Sequence, residues 1–183
     1  MSALDEFFSL PTSVSKSDRR NVLLESIRAL ETSTNPYVIA ERVLRFRSEA
    51  IAPLADLLTR THSSEVKTLA SLILINNRSD VGKTALIEEI SREGPYRVMA
   101  SFALANAGFP DHVPLIVQTL RQYEIVPSRE FPSNDDSEII SFFVVLNRLR
   151  VQLPDDIKQK YSGSEAPRFF RREVKSLQED ASE

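Results

Sequence analysis

Three alanines in the middle of the chain, Ala40, Ala70 and Ala100, stand thirty residues apart. Leu44, Leu74 and Leu104 keep the same step four residues later. Lys67 is matched by Arg97, Ser71 by Ser101 and Leu69 by Met99. A second series runs between them: Ala55, Ala85 and Leu115, then Leu57, Ile87 and Val117. A fixed step of this size constrains the fold strongly, because each unit buries its apolar face only by stacking on the next. Two families of columns in one period predict two elements per unit.

Those elements are predicted to be helices. In "SSEVKTLASLILINN" the residues Val66, Leu69, Ala70, Ile73 and Leu74 follow the spacing i, i+3, i+4, i+7, i+8, which is one face of a 3.6-residue period. Ser63 or Ser64 supplies an N-cap, and Glu65 places a carboxylate where the helix dipole is positive. "PYRVMASFALANAG" repeats the pattern through Val98, Met99, Phe102, Ala103 and Leu104, and Gly108 is suited to the left-handed turn that ends a helix. That apolar run is shorter than the roughly 20 residues of a membrane span and carries Arg97. Helices are expected over 19–32, 36–47, 49–60, 64–76, 81–93, 95–107, 111–123, 136–150, 154–161 and 166–178. Between them lie "TSTNP", "RTHSS", "NNRSD", "REGP" and "GFPD", the turn chemistry of short antiparallel helices. Only 4 of the 183 residues are glycine, against 10 prolines, which disfavours β sandwiches and the glycine-rich phosphate loops of α/β folds. The expectation is an all-α chain with one domain over 19–178. A partly ordered segment (1–18) would precede it and a disordered tail (179–183) would follow.

The units "EVKTLASLILINNRSD" and "PYRVMASFALANAGFPD" each run from a basic residue through an alanine and a leucine to a turn ending near aspartate. In this they resemble the short HEAT-like repeats of the armadillo-like superfamily, over about residues 36–123 and by extension at the flanks. The resemblance implies a right-handed α-solenoid of antiparallel helix pairs, with the second helix of each pair lining one continuous face.

Composition narrows the function classes. Net charge is −3, from 23 Lys+Arg against 26 Asp+Glu, and this counts against a dedicated nucleic-acid binder. With no cysteine, disulfides, thiolate zinc sites and a thiol nucleophile are excluded. The first residues, "MSALDEFFSLP", lack a basic leader before a long apolar stretch, so the expected location is cytoplasmic, with no membrane partner.

Motifs that imitate active sites fail on detail. Gly82-Lys83-Thr84 follows an apolar run as in a phosphate-binding loop, but the first glycine that loop requires is replaced by Asn77. His62 and His112 fall fifty residues apart in expected turns, read as solvated and without metal-ligand spacing. Glu88-Glu89 and Asp135-Asp136 are adjacent, so in a helix they diverge by about 100°. They read as surface charge and as an N-cap cluster, not as an acid/base pair. Neither a catalytic residue, a cofactor nor a metal site is expected.

Three columns remain on the second helices once core positions are subtracted: Tyr37/Lys67/Arg97, Arg42/Leu72/Phe102 and Arg45/Ile75/Ala105. They grade from basic to apolar, the usual make-up of a protein-protein interface. Arg42, Arg45, Lys67, Leu72, Ile75, Arg97 and Phe102 are therefore candidate protein-binding residues, unless terminal segments cover the apolar ones. After Glu124 the rhythm breaks at "EIVPSREFPSNDD", a loop long enough to suggest function. Its Arg129, Glu130 and Phe131 join the candidates as a binding finger. "APRFFRREVKSLQEDASE" is a basic segment with an acidic tail. Phe169 and Phe170 are expected to seal the last unit, and Arg168, Arg171 and Arg172 form a weak candidate anion site. The expected function is non-enzymatic binding of another protein, in the manner of an inhibitor or of bacterial immunity-type proteins that neutralise toxins; homo-oligomerisation is compatible with it. The alternative from another class is a HEAT-like enzyme acting on nucleic acid, similar to DNA glycosylases, or a protein similar to bilin lyases. The absence of Trp and of a basic inner face weighs against the glycosylase version.

Overall fold

The structure is a computed structural model that describes residues 16–127 and 129–180. The expected N-terminal segment lies outside these residues as far as position 15, and the end of the expected tail does so from position 181. Among the described residues all regular structure is helical and there is no strand. The chain divides into two compact units, residues 1–79 and 80–183.

In the first unit, α1 is Lys16–Thr32, α2 is Pro36–Leu44, a 3-10 turn spans Arg47–Ala50, α3 is Ile51–Arg60 and α4 is Ser64–Asn76. α1 packs on α2 and α3, and both α2 and α3 pack on α4. The α1 stripe Leu23, Ser26, Ile27 and Leu30 is buried, at the spacing of one helix face. Val43, Phe46, Leu54, Leu57, Leu69 and Leu74 continue the core. Asn35 caps α2 ahead of Pro36 at its first position, where a missing N–H costs nothing. Ser63, not Ser64, caps α4 by accepting from the Val66 amide at 3.3 Å. α4 is buried from Thr68 to Ile75 without a break, as expected of a helix apolar on nearly every side.

The second unit opens with a 3-10 turn, Asp80–Gly82. It continues with α5 (Lys83–Ser91), α6 (Arg97–Asn106), α7 (Val113–Gln122), α8 (Asn134–Arg148), α9 (Asp155–Ser162) and α10 (Arg168–Asp180). α6 packs on α5 and α8, α7 on α8 and α9, and α10 on α8 and α9. The core gathers Ile116, Leu120, Phe142, Phe143, Leu146, Ile157, Tyr161, Phe170 and Val174. Phe143 and Phe170 meet Tyr161 edge to face at 5.0 and 5.1 Å, an arrangement their ring quadrupoles favour. The Tyr161 hydroxyl donates to the Leu120 carbonyl at 2.8 Å, which satisfies a phenol buried in that core.

Helix ends carry the thirty-residue step further than helix starts. α4 and α6 begin thirty-three residues apart and end thirty apart. Each closes with the same pair of backbone bonds: the Ser79 amide to the Leu74 carbonyl and the Phe109 amide to the Leu104 carbonyl, both 2.9 Å, with the inner bonds Arg78 to Ile75 and Gly108 to Ala105. This is a Schellman cap, whose central residue must be left-handed. Gly108 meets the demand at φ 77°, while Arg78, the matching residue thirty positions earlier, does so at φ 62°. α5 and α8 end in the same way, with Glu93 at φ 56° and Arg150 at φ 53°.

No helix among the described residues is long and apolar enough to cross a membrane.

Candidate protein-binding surface

Burial sorts the candidate residues. In the first unit, Arg42 and Lys67 are half-buried, Arg45 is exposed, and Leu72 and Ile75 are buried at 7% and 3% exposure. The apolar members expected to act as anchors there are withdrawn from solvent. In the second unit, Arg97 pairs with Glu93 at 3.4 Å and with Glu138 on α8. Phe102 is half-buried against the core, with the Arg148 guanidinium 5.9 Å from its ring centre. Arg148 also bonds Asn106, so the shared face of α6 and α8 is stapled near both ends. Phe102 is largely a packing residue.

The loop after α7 differs. Phe131 is 76% exposed, the most of any large hydrophobic among the described residues, and Val126 is exposed at 46%. A phenylalanine held this far into water contrasts with the usual fate of that side chain. The loop behind it is nevertheless tied down, and Asp136 in the first turn of α8 is the knot. Its Oδ1 accepts from the Tyr123 hydroxyl. Its Oδ2 accepts from the Ser133 amide at 2.7 Å, from the Ser133 hydroxyl at 2.7 Å and from Arg129. Arg129 also donates to the Ser133 hydroxyl at 2.8 Å, and that hydroxyl accepts from the Asp136 amide at 3.2 Å. The start, middle and end of the loop thus converge on one carboxylate that is 1% exposed.

Ser133 and Asp136 form a capping box, with the two residues satisfying each other's backbone amides. Burial alone would raise the Asp136 carboxyl. The Tyr123 hydroxyl, the Ser133 amide and hydroxyl and the Arg129 guanidinium outweigh it and hold the group at about 2. Burial, reinforced by the bond to Asp136, pushes the Tyr123 phenol up to about 12. The expected N-cap cluster at Asp135-Asp136 is present, with Asp136 buried within it.

Beside this loop, Pro127, Arg129, Glu130, Ser164, Glu165, Ala166, Pro167, Arg168 and Arg171 line a groove of about 640 Å³. Arg168 and Arg171 are exposed, and their side chains have no ion-pair partner among the described residues. They belong to the outward stripe of α10, Arg168, Arg171, Arg172 and Lys175, all exposed at helical spacing. The opposite stripe, Phe170, Val174 and Leu177, is buried. Phe170 seals the core, as expected of its position, and Phe169 is half-buried beside it at 4.6 Å between ring centres.

Two other sequence readings change. His112 is not a solvated turn residue: it is fully buried, and neither ring nitrogen has a hydrogen-bond partner among the described residues. Burial pushes its pKa down, and the neighbouring Asp111 carboxylate opposes this only in part. Glu89 is not surface charge either. It is 0% exposed, pairs with Arg92 and accepts from the Tyr96 amide at 2.9 Å just ahead of α6. Its carboxylate lies over Gly94, where any Cβ would collide with it. His62 is exposed. Lys83, central to the imitation phosphate loop, pairs with Asp111 at 2.7 Å and lies 5.0 Å from the Phe109 ring centre. The apolar run ahead of that turn is α4, a helix, where a phosphate loop follows a strand. Among the described residues no group of three His, Asp or Glu side chains is placed to hold a metal ion. Compared with protein-family models, with curated proteins and with solved structures, the chain matches none.

Proposed function

We propose that this chain is a non-enzymatic protein-binding module built from HEAT-like helix pairs, and that its anchor is Phe131. The observation that carries this reading is the pairing of a 76% exposed phenylalanine with a loop knotted to Asp136. An aromatic anchor on an already ordered loop binds with little ordering cost, the property that makes interface hot spots effective. Packing within each unit supports the repeat component: α2 lies on α4, α6 on α8 and α8 on α10, each helix touching the one two positions on. Occlusion of a partner's surface, as an inhibitor or immunity-type protein achieves it, is the mode of action that such a rigid anchor serves.

The anchor is placed on Phe131 because Leu72 and Ile75 are buried and Phe102 is packed. Arg129 supports the loop from within, and Glu130 stands exposed beside the anchor. The test uses wild-type and Phe131→Ser chains as paired baits in an extract of the native host. The captured protein is then purified and titrated against both by calorimetry. Loss of an aromatic hot spot costs about 2–4 kcal/mol, roughly 30- to 1000-fold in Kd. Equal affinity for both chains would remove Phe131 as the anchor.

A further inference from the structure

The groove beside the loop carries a second kind of information, the chemistry of what it receives. We infer that it binds an extended protein segment with acidic residues at alternate positions, whose carboxylates meet Arg168 and Arg171 while its apolar side chains lie on Pro127. The inference rests on the reading of the chain as a protein-binding module and names the partner's character.

Charge complementarity supports it. The chain is acidic as a whole, at −3, yet α10 presents four cations in eight residues on one exposed stripe. Arg168 and Arg171 open that stripe into the groove without an ion-pair partner among the described residues. The Arg172 guanidinium approaches Glu173 only at 4.0 Å. Guanidinium groups left uncommitted in this way suit bidentate recognition of carboxylates.

The lining also separates protein from nucleic acid. Glu130 and Glu165 stand in the same groove, and a uniformly anionic phosphate backbone would be repelled there. A peptide with carboxylates at alternate positions can set them on Arg168 and Arg171 and turn uncharged side chains and backbone amides to Glu130 and Glu165. Apolar contact with the exposed Pro127 completes an interface that is part charged and part apolar. At about 640 Å³ the groove has the size of a site for a few residues of chain. Phe131, next in sequence to Glu130, extends the contact beyond it.

The test is a backbone-amide NMR titration of the full chain with three defined probes. These are an eight-residue peptide of alternating Glu or Asp with Leu or Phe, its counterpart with Lys at every acidic position, and an oligothymidylate of equal charge. The acidic peptide is expected to shift the amides of residues 129–131 and 164–172 saturably. The double variant Arg168→Glu/Arg171→Glu, changed only at exposed side chains, should bind it at least tenfold more weakly. The lysine peptide should leave these amides in place. Preferential binding of the oligonucleotide at the same amides would overturn the inference in favour of nucleic acid. No shift with any probe would overturn it outright. A native partner whose affinity depends on Phe131 but not on Arg168 and Arg171 would refute this inference and leave the protein-binding reading intact.

Discussion

Replacing Asp136 by asparagine keeps the size of the side chain and removes the charge on which the loop is knotted. In the folded chain the carboxyl titrates at about 2, against an ordinary 3.8. That difference corresponds to about 2.4 kcal/mol at pH 7, at about 1.4 kcal/mol per unit. Because the folded value is depressed, the stabilisation is present above pH 3.8 and is lost as pH falls through 2. At pH 3 about 1.3 kcal/mol should remain. The variant also leaves the Arg129 guanidinium without its anion and puts an amide N–H₂ where the Ser133 amide, the Ser133 hydroxyl and Arg129 all donate to one oxygen, so a total loss of about 2–3 kcal/mol at pH 7 is expected. Urea unfolding of both chains at pH 7 and pH 3 measures it: the gap should be wide at pH 7 and close to half at pH 3. Binding to the partner should weaken as well, since the anchor loop loses its pre-order. A gap below about 0.5 kcal/mol at pH 7, or one that does not change with pH, would refute the claim that one carboxylate organises this loop.

Two further substitutions test other parts of the structure. His112→Leu replaces a buried imidazole that lacks hydrogen-bond partners, so stability at pH 7 should hold or rise. The folded pKa of His112 is lowered from 6.5, so the wild type should lose stability as pH falls below about 6.5. Thermal melts from pH 7 to pH 5 should show the variant with the flatter profile. Arg78→Gly relieves a left-handed backbone at φ 62°, a strain of about 1–2 kcal/mol set against about 0.5–1 kcal/mol of extra chain entropy in glycine. A net gain of about 0.5–1 kcal/mol is expected in urea unfolding, and a loss would show that the arginine side chain supports the cap.

The helices were legible because their signals are local. Val66 to Leu74 keep helical spacing and Ser63 caps them, so α4 spans the expected residues 64–76. The step from Leu74 to Leu104 proved to be the spacing of two identical helix ends. The Ser133-to-Asp136 spacing announces a capping box in the same local way. What the spacing does not carry is that Tyr123 and Arg129 reach the same carboxylate from thirteen and seven residues upstream.

The surface was much less legible. Leu72, Ile75 and Phe102 sit where the periodicity leaves residues over, and a residue left over by one helix can still be covered by another part of the chain. Glu89 and His112 mislead for a related reason, since charge and polarity in a sequence measure the cost of burial and not whether burial occurs. The sequence by itself determined which stretches are helical, with ends within about three residues of those observed, because capping, periodicity and turn chemistry act over a few residues. Only the tertiary structure decided which leftover side chains meet water, left Phe131 the most exposed large hydrophobic among the described residues, and set Arg129 and Glu130 beside Arg168 and Arg171. That outcome depends on contacts between residues far apart in the chain, whose energies no short stretch contains.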